Sequence, residues 1–391
     1  HTLKWNPINI CSYHLQEAGA TAVQEVAFAL AAAISVLDSV KEKIEEQNVD
    51  VDFDQVVSRI SFFVNGSIRF IEELCKLKAF GRLWSDLVHE RYGVTSDAAR
   101  RFRYGVQVNS LGLTEEQPEN NVQRIVLEML GVTLAKDSRA RAIQLPAWNE
   151  ALGLPRPWDQ QWSLRIQQVL ALESDLLEYE DIFEGSTVIE AKVSELTSDI
   201  EAELDRIIEM GGAIAALESG YLKSALVASH AQRRSKIESV ELAVVGVNIH
   251  QSTEPSPLSL STNILVVDPQ VEARRIAEVQ TFKAERDRTG VEGALAELDA
   301  AVQRGRGVVE ASIAAAKVGV TTGEWSAILR SRFGEYRSPT GVVDSITHRT
   351  PAIQAVRARV DQLAARIGHR PRILIGKPGL DGHSNGAEQI A

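Results

Sequence analysis

Arg59-Ile60-Ser61-Phe62-Phe63-Val64 is an apolar run interrupted by a single serine. A short continuous run of this kind, bounded by polar segments, reads as a strand buried in a sheet. An amphipathic stretch follows over roughly residues 68–91, so strand and helix form one unit. The same unit precedes it: residues 8–13 are strand-like, and a helix is predicted from Ala22 to about Glu46, with Val23, Val26, Ala27, Leu30 and Ile34 on one face. It recurs as a strand over 103–108 with a helix over 118–134, and again as a strand over 141–145 with a helix near 161–178. Four βα units in series predict the C-terminal part of a (β/α)₈ barrel, an α/β fold, with a doubly wound sheet as the competing topology. Ser61, Gln107 and Gln144 interrupt the apolar strands and favour a barrel whose interior holds a ligand.

Beyond the fourth unit the pattern changes. Residues 187–240 are helical with few breakers, residues 244–248 read as a lone strand, and residues 251–259 as a turn-rich loop. Residues 269–334 are helical again, broken near Arg304-Gly305-Arg306-Gly307, and residues 338–351 read as a linker. One more helix leads to Arg372-Ile373-Leu374-Ile375, a buried parallel strand in character, then a glycine-rich turn and a helix start at Gly386. That is the first βα unit of a further α/β domain. Three parts follow: 1–180, the barrel part; 181–350, a mainly helical linker or wrapping region; and 351–391, the start of a second domain. The chain begins on His1 and is in an apolar strand within a dozen residues, so both ends read as cut from a longer protein.

The 391 residues are 44% hydrophobic and 24% charged, with a net charge of −11. That balance argues against a general nucleic-acid or membrane-surface binder, while leaving room for a few local arginines to clamp an anionic small molecule. Cys11 and Cys75 provide neither a disulfide framework nor metal spacing, and a reducing cytoplasm is expected. No apolar run is read as approaching the length of a membrane span.

Candidate chemistry sits at predicted strand ends. Tyr13-His14 with Glu17 follows the first strand, on the catalytic face of a barrel; the pair can donate to a carbonyl, and Glu17 can accept from a sugar hydroxyl. A helix-capping turn accounts for the same spacing. Arg59 and Ser61 suit a phosphate or carboxylate, though a structural ion pair also explains the arginine. Gln107 on a buried strand needs partners for its amide, from a ligand or from a network within the barrel. Glu150 follows the fourth strand, where acidic residues are commonly N-caps. Near the C-terminus, Asp381 stands two residues before His383, close enough to bond one ring nitrogen and leave the other for a metal, with Gly386 three residues on.

Taken in order, Ser-Tyr-His-x-x-Glu-Ala-Gly-Ala, Arg-x-Ser-Phe-Phe, Arg-x-x-x-Gln, Asn-Glu-Ala-Leu-Gly-Leu-Pro and Lys-x-Gly-x-Asp-Gly-His resemble the adenosylcobalamin-dependent acyl-CoA mutases over essentially the whole chain. The resemblance implies a radical carbon-skeleton rearrangement and identifies the last segment with a flavodoxin-like cobalamin-binding domain. It implies that His14 hydrogen-bonds the thioester oxygen and Tyr13 flanks the radical pair. Arg59 and Ser61 would hold the CoA arm, Gln107 the acyl group, and Glu17 and Glu150 the adenosyl ribose. His383 would ligate cobalt from below, with Asp381 and Lys377 as its relay. An acyl-CoA substrate, a homodimer and a GTPase metallochaperone for cofactor loading are implied as well, with no nucleic-acid or membrane partner.

Within the family the sequence is similar to the ethylmalonyl branch, which converts (2R)-ethylmalonyl-CoA to (2S)-methylsuccinyl-CoA. The methylmalonyl branch has Arg-Thr-His-x-Gln where Arg103-Tyr104-Gly105-Val106-Gln107 stands here. Gly105 removes an imidazole beside the substrate, and a larger acyl chain is the expected consequence. Leu111 replaces a Trp of that branch near the adenosyl group. The alternatives are a methylmalonyl-CoA or other acyl-CoA mutase, a non-catalytic mutase-like subunit, and a cobalamin-binding sensor. The segment itself is expected to be inactive without the early barrel strands and the rest of the cobalamin domain.

Overall fold

A computed structural model describes residues 6–259, 264–305, 307–335 and 351–370, with side chains left out at 351–354 and 357. The expected terminal strand, and with it Lys377, Asp381, His383 and Gly386, lies outside the described residues, as does the expected linker.

The first half alternates strand and helix. β1 (Ile8–Cys11) leads into a single turn, α1 (Tyr13–Glu17), and the long α2 (Ala22–Gln47); α3 (Phe53–Val57) precedes β2 (Ile60–Gly66). Then come α4 (Phe70–Tyr92), α5 (Asp97–Arg100), β3 (Tyr104–Val108), α6 (Asn121–Thr133), β4 (Ile143–Gln144) and α7 (Pro157–Leu172). Thr21 starts α2 with a capping box, its hydroxyl accepting from Gln24 N–H while Gln24 accepts from Thr21 N–H.

The four strands form one parallel sheet in the order β1-β2-β3-β4. Consecutive neighbours without reversal are what successive right-handed βα units produce in a closing sheet, and among the described strands there is no switch of direction. Alternation along each strand sorts the side chains. Ile10, Ile60, Phe62, Val64, Tyr104 and Val106 join the core under the helices, where Phe62 packs edge-on against Phe80 and Trp84. Ser61, Phe63, Asn65, Gly105 and Gln107 fall on the opposite face.

α8 (Thr187–Glu209) packs against α2 and α4 and lays Ile189, Val193, Leu196, Ile200, Leu204 and Ile207 into the same core. α9 (Ala213–Glu218) and α10 (Tyr221–Glu238) follow. α2 is long and apolar enough by composition to cross a membrane, which the sequence reading did not expect; 56% of its most apolar window is buried inside the protein. It is the central core helix here.

Several boundaries differ from expectation. The first strand stops at Cys11, because after Ser12 N–H bonds Phe63 carbonyl at 2.8 Å the chain turns into α1. β4 keeps only two residues, with Pro146, which has no N–H to donate, close behind. α7 begins earlier, at Pro157, and ends at Leu172. The strand expected over 244–248 is a turn: Gly246 adopts φ +85°, and Asn248 accepts from Val244 N–H and donates to the Ile237 and Leu242 carbonyls. Only one bridge, Val245 to Ile249, remains of it.

The chain divides into two compact units, Val266–Thr340 being the second. It comprises α11 (Pro269–Glu285), α12 (Arg288–Gln303), α13 (Val309–Lys317) and α14 (Thr322–Phe333), and the break falls at the glycines as expected. Arg286 joins α11 to α14 through Glu324, Nη1 to Oε2 at 2.7 Å. α15 (Pro351–Ile367) belongs to the first unit.

Candidate active site

Ser12 closes β1 by pairing with β2, which puts Tyr13 and His14 at the C-terminal end of the sheet. Their rings lie 3.8 Å apart, and Tyr13 meets Phe63 edge-on at 5.3 Å. Burial, then the nearby Cys11 thiol and Glu17 carboxylate, push the Tyr13 phenol above its ordinary value. It therefore stays a protonated donor at neutral pH. Gly19, just after α1, adopts φ +107°, and a Cβ there would sit 2.5 Å from His230 Cβ, so only glycine admits this approach of α10. Ser229 seals the contact by donating to Gly19 carbonyl at 2.7 Å.

A cleft of about 710 Å³ opens at this end of the sheet and is lined by Tyr13, Glu17, Gln107, Ser110 and Glu150, among others. Glu17 comes from α1, Gln107 from β3, and Glu150 from a 3₁₀ turn after β4. Ser110 donates to Glu17 Oε1 at 3.1 Å. The Glu150 turn is fixed from behind by buried Asp159, which accepts from Trp148 Nε1 at 2.9 Å, Asn149 Nδ2 at 3.0 Å and Arg156 N–H at 2.8 Å. Glu150 is thus not the N-cap that its position first indicates; Asn149 holds that position, with its Nδ2 on Asp159.

Beneath the strand ends lies a buried ion cluster that the sequence did not reveal. Lys76 of α4 donates to Glu25 Oε2 and to Asn65 carbonyl, each at 2.7 Å, and pairs with Glu73. All three ionic side chains are almost fully buried. Burial opposes the lysine charge, but Glu25 and Glu73 hold its ammonium above the ordinary lysine range. Two carboxylates share this one cation, so burial and repulsion by Glu73 leave Glu25 above its ordinary value. Glu25 Oε1 accepts from Asn65 N–H at 2.8 Å and from Ser12 Oγ at 3.1 Å. One carboxylate thereby fixes the end of β2 and the residue before Tyr13-His14.

Arg59 and Ser61 are not in this cleft. They lie toward the N-terminal end of β2, where Ser61 donates to Ile8 carbonyl at 3.3 Å. Arg59 has company there: Arg103 is held below its ordinary value by burial and then by repulsion from Arg141, Arg101 and Arg59. Arg103 donates to the Ser58 and Ala98 carbonyls, at 2.8 Å each. Four arginines thus gather around one end of the sheet, of which the motif order disclosed only a part.

Gly105 pairs in register with Phe63, and a Cβ at Gly105 would lie 2.8 Å from Phe63 Cδ2 and Cε2. The space that the absent side chain leaves is thus filled from the neighbouring strand. The glycine admits the Phe63 ring at this position. Leu111 stands in a 3₁₀ turn, its N–H held by Asn109 Oδ1 at 2.7 Å.

A parallel βα sheet with donors and carboxylates gathered at its C-terminal end is the arrangement of an α/β enzyme site, and the chain belongs to the methylmalonyl-CoA mutase family, whose profile, described as Methylmalonyl-CoA mutase, matches residues 1–335. Among curated relatives, the ethylmalonyl-CoA mutase of Methylorubrum extorquens is 58% identical over 99% of this chain and 56% of its own length. The ethylmalonyl-CoA mutase of Cereibacter sphaeroides is 57% identical over 100% of the chain and 59% of its own length. The methylmalonyl-CoA mutase of Escherichia coli is 32% identical over 99% of the chain and 54% of its own length. The chain spans somewhat more than half the length of these relatives.

Proposed function

We propose that this chain carries the substrate side of an adenosylcobalamin-dependent acyl-CoA mutase, an isomerase that converts (2R)-ethylmalonyl-CoA to (2S)-methylsuccinyl-CoA. The observation that carries the reading is the convergence of Tyr13, Glu17, Gln107 and Glu150, singled out from sequence order, on one cleft. The contrast between 57–58% identity to ethylmalonyl-CoA mutases and 32% to a methylmalonyl-CoA mutase supports the substrate.

The four strands are taken as an arc of a (β/α)₈ barrel spanning 1–180, with 181–350 a mainly helical region and 351–391 the start of a cobalamin-binding domain. Glu17 and Glu150, with Ser110, make a donor and acceptor set suited to vicinal ribose hydroxyls, so the cleft fits the adenosyl group. When bound, adenosylcobalamin supplies the hydrogen-abstracting radical, and His383 with Asp381 and Lys377 would hold its cobalt.

The protein's task is to orient the substrate and exclude water. His14 donates to the thioester oxygen, Tyr13 stands over the reacting carbons as a protonated phenol, and Gln107 meets the acyl group. From Asn65 to Ser61 the face of β2 runs about 13 Å at ~3.3 Å per residue. An extended CoA arm laid along that face would bring its phosphates to Arg59, Arg101, Arg103 and Arg141. A homodimer, loading by a GTPase metallochaperone and a cytoplasmic location belong to the same reading.

The test is turnover by the longest polypeptide encoded with this chain, supplied with adenosylcobalamin and assayed with each acyl-CoA. Conversion of ethylmalonyl-CoA that disappears without the cofactor is expected. A higher kcat/KM for methylmalonyl-CoA would overturn the substrate assignment, and full activity of a His383→Ala variant would overturn the role of that residue.

A further inference from the structure

Asn65 is the last polar residue of β2 on the face opposite the helices, and in the sheet register it is the partner of Gln107. Its backbone is fixed on both sides, N–H by Glu25 and carbonyl by Lys76. Its side chain is not: the residue has no exposed surface, yet among the described residues neither Oδ1 nor Nδ2 has a partner. Native proteins rarely leave both ends of a buried carboxamide unsatisfied, since each unpaired group forfeits its hydration. Gln107 beside it borders the cleft, and among the described residues its Nε2 reaches only Val108 carbonyl, at 3.3 Å. Two adjacent carboxamides, one buried and unpaired and one bordering the cleft, are thus held side by side at the catalytic end of the sheet.

We infer that Asn65 is a substrate-binding residue that works beside Gln107, its carboxamide hydrogen-bonding an oxygen of the acyl group. This rests on the acyl-CoA mutase reading above. An acyl group with a free carboxylate and a thioester offers two kinds of oxygen acceptor to the Nδ2 donor. Lys76 and Glu25 fix the Asn65 main chain, so only the buried side chain has to turn toward the cleft when substrate arrives. Serine would keep one donor at reduced reach; alanine keeps none.

The experiment compares wild type, Asn65→Ala and Asn65→Ser in the longest encoded polypeptide with adenosylcobalamin. For Asn65→Ala, kcat/KM for ethylmalonyl-CoA is expected to fall about 10- to 100-fold, the range for a lost hydrogen bond to a charged or polarised acceptor, and Asn65→Ser is expected to fall between. Affinity for free coenzyme A, which lacks the acyl group, should stay within about twofold of wild type. Butyryl-CoA separates the two oxygens: affinity weakened for it as well assigns the thioester, and affinity weakened only for ethylmalonyl-CoA assigns the carboxylate. Unchanged kcat/KM in both variants overturns the inference and leaves Asn65 with a buried water. Equal loss of coenzyme A and acyl-CoA binding overturns it too, because that pattern is general damage. If Asn65→Ala does not fold, Asn65→Ser carries the same comparison, and wild-type kinetics there sink the proposal. A wild-type protein without mutase activity would instead refute the underlying functional reading.

Discussion

Lys76→Met is the most searching perturbation of this structure. Methionine is close to the lysine stem in length and shape, so packing is largely kept and the change removes a charge. The lost contacts are those to Glu25 Oε2 and Asn65 carbonyl at 2.7 Å, the pair with Glu73, and a longer bond to Gln16 Oε1 at 3.4 Å. Glu25 and Glu73 would then be two buried carboxylates without a cation. Removing one partner of a buried ion pair typically costs about 3–5 kcal/mol, far above the value of a surface pair, because the desolvated charge left behind is uncompensated. The variant should therefore lose about 3–5 kcal/mol in urea unfolding followed by circular dichroism near pH 8. The sign of the pH dependence follows from the raised Lys76 value. In wild type the lysine contribution is complete below the ordinary lysine range and is lost as pH rises through the raised folded value. In the variant the stranded carboxyls can take up protons, so its deficit should shrink as pH falls toward the carboxylate range. Adding Glu25→Gln and Glu73→Gln to Lys76→Met should recover at least about half of the loss. A single variant within about 1 kcal/mol of wild type, or a triple variant no more stable than the single, would refute the reasoning.

Three further expectations concern other residues. Gly105→Ala places a methyl 2.8 Å from the Phe63 ring and should cost about 1–3 kcal/mol by thermal melting, with Phe63→Leu relieving much of it. Glu128 is fully buried with neither carboxylate oxygen hydrogen-bonded among the described residues, and burial, then Glu73, hold its carboxyl well above the ordinary range. Its folded value being raised, ionisation opposes folding at neutral pH; Glu128→Gln should raise the melting temperature there, by an amount equivalent to about 1–3 kcal/mol, and the gain should vanish below the ordinary carboxylate range. Asp159→Asn replaces one acceptor oxygen by an NH2 donor facing the donors of Trp148, Asn149 and Arg156, and should cost about 2–3 kcal/mol while raising the KM for adenosylcobalamin more than that for acyl-CoA, through the loosened Glu150 turn. Equal effects on both KM values would separate Asp159 from the cofactor.

The alternation of strand and helix was legible because it depends on local patterning. A buried strand needs a short apolar run and a core helix an apolar stripe, and both are written in neighbouring residues. The sequence by itself therefore determined the four βα units, and the order of motifs along them pointed to Tyr13, His14, Glu17, Gln107 and Glu150. It did not determine the exact strand ends, since Ser12 turns away only after bonding β2, and it misread residues 244–248, where Gly246 and Asn248 favour a turn over a strand. Contacts between residues far apart in sequence were decided by tertiary structure alone. Lys76 on an amphipathic helix reads as a solvated charge until α4 packs and brings it to Glu25, 51 positions away. Asn65 lies one residue past the run read as a strand to Val64, and only the register sets it beside Gln107. Gly105 reads as lost volume until β2 fills that volume with Phe63. Strand and helix are chosen by local periodicity, whereas burial, charge pairing and the space left for a substrate depend on which distant elements the fold brings together.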